Sequence, residues 1–201
     1  EAGHVIPMNL NQASANRLAF TQKEPIGLVL AISAFNHPFN LIIHQAIPAI
    51  AVGCPVIVKP AEDTPLSCKA LIELLYESGL PSEYCQMIIP ESIEIATKVV
   101  SDSRVAFLSF IGSSKVGWYL KTKLSPGARC ALEHGGMAPL FLERDANIEN
   151  AVKSIKRAGF YHAGQVCVSV QKVFVQKKIL KEFQENLVDS VNKIIVGNQL
   201  D

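Results

Sequence analysis

The chain has 201 residues, 49% of them hydrophobic and 18% charged, with a net charge of +1. That balance excludes a disordered chain and argues against a nucleic-acid surface spread over the whole molecule. No run of about 18 apolar residues occurs, so no membrane span is expected, and Glu1-Ala2-Gly3-His4 is not read as a secretory signal.

The predicted elements follow in chain order. In residues 1–24, Val5, Ile6 and Met8, then Leu18 and Phe20, read as two short strands of an arm around a turn-rich segment. From Pro25 the texture changes. The run Gly27 to Ser33 is continuously apolar and of strand length, as expected of a parallel strand buried on both faces. A helix is predicted from Leu41 to Val52, with Pro48 kinking or ending it. Pro55 to Lys59 is a second buried strand. Thr64 and Pro65 open the next helix as N-cap and first residue, and Gly79-Leu80-Pro81 closes it.

Cys85 to Ile89, Val105 to Ile111 and Ala128 to Glu133 are further strands, alternating with helices at Ile93–Val100 and Ser113–Lys123. This alternation predicts an α/β fold, a doubly wound parallel sheet with helices on both faces. After Gly136 a new unit is expected: strands at Leu140–Leu142 and Lys172–Val175, helices at Ile148–Ala158 and Lys177–Ile195.

Cys54, Cys68, Cys85, Cys130 and Cys167 are odd in number and form no C-x-x-C. Reduced thiols in a cytoplasmic chain, most of them small core residues, are the expectation. Cys167 stands apart, at the end of Gly159-Phe160-Tyr161-His162-Ala163-Gly164-Gln165-Val166-Cys167. A thiolate is the strongest nucleophile among ordinary side chains, given a site that lowers its pKa or supplies a base.

Other stretches can serve such a nucleophile. Asn36 sits at the carboxyl end of the first buried strand, where open α/β sheets hold ligands, and its amide can donate to an oxyanion; a plain turn residue is the competing reading. Lys59-Pro60-Ala61-Glu62 leaves the second strand, either to meet ribose hydroxyls or as a solvated ion pair. Gly112-Ser113 joins a strand to a helix start, suited to phosphate or simply an N-cap. Glu133 ends the fifth strand in what reads as an apolar setting, where a carboxylate can act as general base; an ordinary paired Glu is the alternative. Cys130, His134, His162 and Cys167 can be written as a zinc quartet, but their spacing disfavours it, and no metal is expected.

In order, Phe35-Asn36-His37-Pro38, Lys59-Pro60-Ala61-Glu62, Phe110-Ile111-Gly112-Ser113, Glu133-His134-Gly135-Gly136 and Gly164-Gln165-Val166-Cys167 resemble the NAD(P)-dependent aldehyde dehydrogenase superfamily. The resemblance extends across essentially the whole chain, and the 34 residues from Glu133 to Cys167 fit it. It implies a Rossmann-like dinucleotide-binding domain over residues 25–136, the beginning of a catalytic domain at 137–201 and an oligomerisation arm at 1–24. It implies Cys167 as nucleophile, Asn36 sharing an oxyanion hole with the Cys167 backbone N–H, and Glu133 as activator of water. For the cofactor it implies Ile32, Phe35, Lys59, Glu62, Gly112, Ser113, Val116 and Gly135. A carboxylate at Glu62 suits the 2′-hydroxyl of NAD, with NADP as the second option. The implied partners are an aldehyde and further copies of the protein, with neither nucleic acid nor membrane.

Ile111, His134 and His37 depart from the residues usual in the family. Family chains also run longer at both ends, so the chain reads as a central portion. Two other readings stand beside the oxidoreductase: a nucleotide-binding fragment without activity, and a cysteine hydrolase or acyltransferase pairing Cys167 with His162.

Overall fold

The computed structural model describes residues 3–198. They divide into two compact units that meet in sequence between Glu133 and His134.

In the first unit, β1 (Val5–Ile6) pairs antiparallel with β2 (Ala19–Phe20) as an exposed ribbon. The main sheet follows: β3 (Leu28–Ile32), β4 (Val56–Lys59), β5 (Cys85–Met87), β6 (Val105–Gly112) and β7 (Arg129–His134), in spatial order β5-β4-β3-β6-β7. The β3–β4, β3–β6 and β4–β5 pairs are parallel. Helices α1 (Pro38–Ala51), α2 (Pro65–Glu77), α3 (Ile93–Val100) and α4 (Ser114–Lys121) alternate with the strands.

The reason β3 is apolar throughout lies in its two neighbouring cores. Val29 and Ala31 join Val56 and Val58 under α1 and α2, with Ile42, Ala46, Cys68 and Leu71. Leu30 and Ile32 point the other way and pack with Val100, Leu108, Phe110 and Leu120, under α3 and α4. Alternate side chains of one strand thus feed opposite layers, and the doubly wound architecture is the one expected.

Several local expectations shift. α1 starts at Pro38, three residues before the predicted Leu41, because proline is tolerated at the first helical position. Pro48 lies inside this helix instead of ending it. His44 and Pro48 are both exposed, so water can reach the His44 carbonyl that loses its N–H partner. Thr64 stands at the N-cap of α2, but its hydroxyl makes no capping bond and is buried without a partner. Gly79 closes α2 as expected. Its φ of 93° is left-handed, and the Leu80 and Gly79 N–H groups donate back to the Leu75 and Tyr76 carbonyls.

The second unit carries β8 (Leu140–Leu142), α5 (Ile148–Phe160), β9 (Val173–Val175) and α6 (Leu180–Asn192). β8 and β9 pair in parallel, and Leu142, Val152, Ile155 and Phe183 form the centre of its core. Asn147 caps α5 by accepting from the Asn150 N–H at 2.9 Å. α6 is shorter than the predicted Lys177–Ile195, since Lys177 to Ile179 form a turn before it.

Candidate active site

Strand register assembles the first half of the site. Ile32 at the end of β3 pairs with Lys59 on one side and with Phe110 on the other. β3 and β4 therefore end on one row, followed by Ser33 to His37 and Pro60 to Glu62, while β6 runs two residues further to Gly112 before Ser113. β3 leads through β4 to β5 in one direction, whereas β6 and β7 lie on its other side. The crevice between β3 and β6 is thus the point where strand order reverses, the place where open α/β sheets bind ligands.

Each predicted residue of this unit lies on that edge. Ile32 is buried at the end of β3, Phe35 is exposed and Asn36 half-buried in the loop before α1. Lys59 packs its stem inward, and its ammonium donates to the Pro60 carbonyl at 3.3 Å and to Glu62 Oε1 at 3.4 Å. Glu62 itself is exposed. Ser113 caps α4, its hydroxyl accepting from the Val116 N–H at 3.4 Å. The N–H groups of Ser114 and Lys115 precede the first intrahelical bond, from the Gly117 N–H to the Ser113 carbonyl, and such helix starts attract anions. At Gly112 a side chain has no room: a Cβ there would stand 2.7 Å from the buried Phe110 ring. An ammonium, a capped helix start and a side-chain-free loop at one crevice are a donor set that fits a dinucleotide.

Sequence reasoning missed Gln45. This buried residue of α1 donates through Nε2 to the Ile32 carbonyl at 3.2 Å, the Ser109 carbonyl at 2.9 Å and the Ser109 hydroxyl at 3.1 Å. It ties α1 to the ends of β3 and β6. The signal was one amide among aliphatic residues, on the same helical face as Ile42 and Ala46.

Glu133 differs from expectation. β7 is an edge strand whose residues alternate between exposed and half-buried, and Glu133 falls on the exposed side instead of in an apolar setting.

In the second unit, the segment after β7 runs beside the loop that carries Cys167. A Cβ at Gly136 would collide with the Cys167 carbonyl and lie 2.9 Å from its carbon. Only glycine allows that approach. The Gln171 N–H donates to the Met137 carbonyl at 3.0 Å and continues the contact toward β8 and β9. Gly135, with φ of 69°, immediately precedes this contact.

Before Cys167 the chain makes a short 3-10 turn, Tyr161–Gly164, which periodicity did not reveal. His162, Ala163 and Gly164 all have positive φ, of 54°, 54° and 74°. Two consecutive non-glycine residues in that region are costly, and such strain gathers at functional loops. Cys167 is exposed at the end of this turn, while Cys54, Cys68 and Cys85 are buried and Cys130 half-buried. Burial pushes the Cys68 thiol up to about 12, with Cys85 adding to it, and the Cys85 thiol up to about 11.

Comparison with known proteins agrees with the motifs. The model of the aldehyde dehydrogenase family matches residues 1–201. The chain belongs to this family. A 3-sulfolactaldehyde dehydrogenase of Priestia megaterium is 37% identical over 199 residues, which is 99% of this chain and 42% of the relative. Betaine aldehyde dehydrogenase of Staphylococcus aureus, solved with NAD+, superposes with a TM-score of 0.90 at 31% identity, covering 98% of this chain and 39% of that one. An NADP-dependent glyceraldehyde-3-phosphate dehydrogenase of Bacillus halodurans, solved with NADP, gives 0.90 at 28% identity, covering 98% and 41%. The family chain described here thus spans about two fifths of these relatives' lengths.

Proposed function

We propose that this chain is the cofactor-binding and nucleophile-bearing part of an enzyme that oxidises an aldehyde to a carboxylic acid with NAD(P). The observation that carries the reading is the register row Ile32–Lys59–Phe110, which sets three motif loops around the strand-order reversal. Residues 25–136 serve as the dinucleotide domain, residues 137–201 begin the catalytic domain, and the arm of residues 1–24, which carries the β1–β2 ribbon, joins copies of the protein in an oligomer. The enzyme works in the cytoplasm, with its thiols reduced.

Lys59 and Glu62 hold the adenosine ribose, and Ile32, Phe35 and Val116 flank the adenosine side. Gly112, Ser113 and the first N–H groups of α4 receive the pyrophosphate, and Gly135 lies by the nicotinamide. The Glu62 carboxylate favours NAD. The Cys167 thiolate attacks the aldehyde carbon, and the carbonyl π electrons move to oxygen. The Asn36 amide and the Cys167 N–H donate to that oxyanion. The bound cofactor supplies the hydride acceptor that leaves a thioester on Cys167. Glu133 then takes a proton from water, whose attack releases the acid and restores the thiolate. The names of the relatives suggest a short, polar aldehyde as substrate.

Calorimetric titration of the 201-residue chain with NAD and with NADP tests the cofactor half. Saturable binding is expected, tighter for NAD. A chain with native circular dichroism that binds neither would remove the cofactor assignments from this segment.

A further inference from the structure

The end of β3 carries a polar cluster inside an otherwise apolar layer. Alternate residues of β3 face opposite sides of the sheet: Leu30 and Ile32 pack with Val100 and Leu120, whereas Val29 and Ala31 pack with Ile42 and Ala46 of α1. Ser33 continues the second set. Its N–H still donates to the Lys59 carbonyl at 3.0 Å, so the ladder extends through it and its side chain faces α1. Ser109, level with Ala31 on β6, faces the same layer and meets Gln45 of α1 there.

Two oxygens of this cluster lack a protein partner among the described residues. Ser33 is 6% exposed and Gln45 is 7% exposed, and Ser33 Oγ and Gln45 Oε1 are both buried without a hydrogen bond. The orientation of the Gln45 amide is forced. Carbonyls only accept, so Nε2 must face the Ile32 and Ser109 carbonyls, and Oε1 is the atom left over. Turning the amide over would set oxygen against oxygen. The Ile32 carbonyl, 3.2 Å from Nε2, belongs to the peptide group that joins Ile32 to Ser33, so both orphan oxygens stand around one peptide group.

Buried polar atoms are costly to leave unbonded, and internal waters settle where several of them converge. A water can donate to Gln45 Oε1 and accept from the Ser33 hydroxyl, while Ser109 Oγ adds a third polar atom to the cluster. Ser33, Gln45 and Ser109 carry no charge, and Ala31, Ile42 and Ala46 beside them are apolar. An ion would lose its hydration here without compensation.

We propose that Ser33 and Gln45 bind one internal water between α1 and the end of β3. The water joins two oxygens that make no direct bond, and it ties α1 to the segment that runs from Ser33 to Asn36. The site goes beyond the function proposed above and does not depend on the chemistry at Cys167.

A high-resolution crystal structure of the intact protein tests the site directly. A water peak is expected within hydrogen-bond distance of both Ser33 Oγ and Gln45 Oε1. No peak there, or a Ser33 hydroxyl bonded to a protein carbonyl, overturns the proposal. In Ser33→Ala the peak should be lost or reduced; an unchanged peak removes Ser33 as a holder.

Urea unfolding of Ser33→Ala, Gln45→Leu and the double variant reads the bridge in solution. Each replacement takes away one of the water's two holders, so after the first the second has little left to lose. Ser33→Ala should lower the folding equilibrium constant about fivefold in the parent and less than about twofold beside Gln45→Leu. An equal loss in both backgrounds overturns the bridge. Should Gln45→Leu fail to fold, the comparison of parent and Ser33→Ala crystals still decides.

Discussion

Asn36 is placed by the elements on either side of it. It leaves β3 four residues after Ile32, whose register row also carries Lys59 and Phe110, and it precedes Pro38 at the first position of α1. The proline fixes the backbone after the amide, and the Leu41 N–H donating to the His37 carbonyl at 2.9 Å closes the first turn. An amide so placed can meet a developing oxyanion without first being ordered. Asn36→Ala in the intact protein should therefore lower kcat about 10²–10³-fold. The thermal midpoint should stay close to that of the parent, since the residue is half-buried in a loop. Near-normal kcat at an unchanged midpoint would withdraw Asn36 from the oxyanion role.

At the scale of elements, α1 is the piece that connects loop to sheet, and Gln45 is its fastening. Its amide nitrogen serves three oxygens, one at the end of β3 and two on Ser109 of β6, and so ties this helix to two neighbouring strands of the sheet. Gln45→Leu leaves the Ile32 and Ser109 carbonyls short of a donor, at a cost of about 1–3 kcal/mol. Urea unfolding should show that loss as a lower midpoint at constant slope; an unchanged midpoint would mean that the sheet ends relax onto other donors.

This fastening also marks the limit of what sequence pattern reveals. The run Leu28–Ile32 was legible because burial on both faces requires unbroken apolarity, and α3 at Ile93–Val100 matched its predicted bounds because Ser92 caps it and its pattern is amphipathic. The five motifs were legible as residue types in order. The bond from Gln45 to residues 13 and 64 positions away was not, because such contacts exist only once register is set. The left-handed turn at His162 and Ala163 was equally hidden, since alanine rarely adopts positive φ and a single histidine does not announce two such residues in a row. The exposure of Glu133 follows from β7 lying at the sheet edge, a fact of strand order that local sequence does not encode.

For the molecule as a whole, the buried thiols set an upper pH limit on the first unit. Cys68 on α2 and Cys85 at the start of β5 share one core with Val56, Val58 and Leu71. Burial first, and for Cys68 also the neighbouring Cys85, raises their values to about 12 and about 11. In the unfolded chain both thiols ionise near the ordinary cysteine value of about 8.5. The folded state therefore holds protons that the unfolded state has released. The stabilisation is full below the unfolded value and is lost as pH rises through the folded ones. Between about pH 9 and 11 each thiol should contribute a downward slope of about 1.4 kcal/mol per pH unit to unfolding stability. Urea midpoints measured from pH 8 to pH 11 should fall accordingly. In the Cys68→Ala/Cys85→Ala chain the absolute stability drops because two core positions are truncated, but the pH slope should flatten toward what the remaining groups impose. Comparing slopes, not midpoints, isolates the proton linkage from the packing loss. An identical slope in both chains would mean that the alkaline limit comes from elsewhere in the fold.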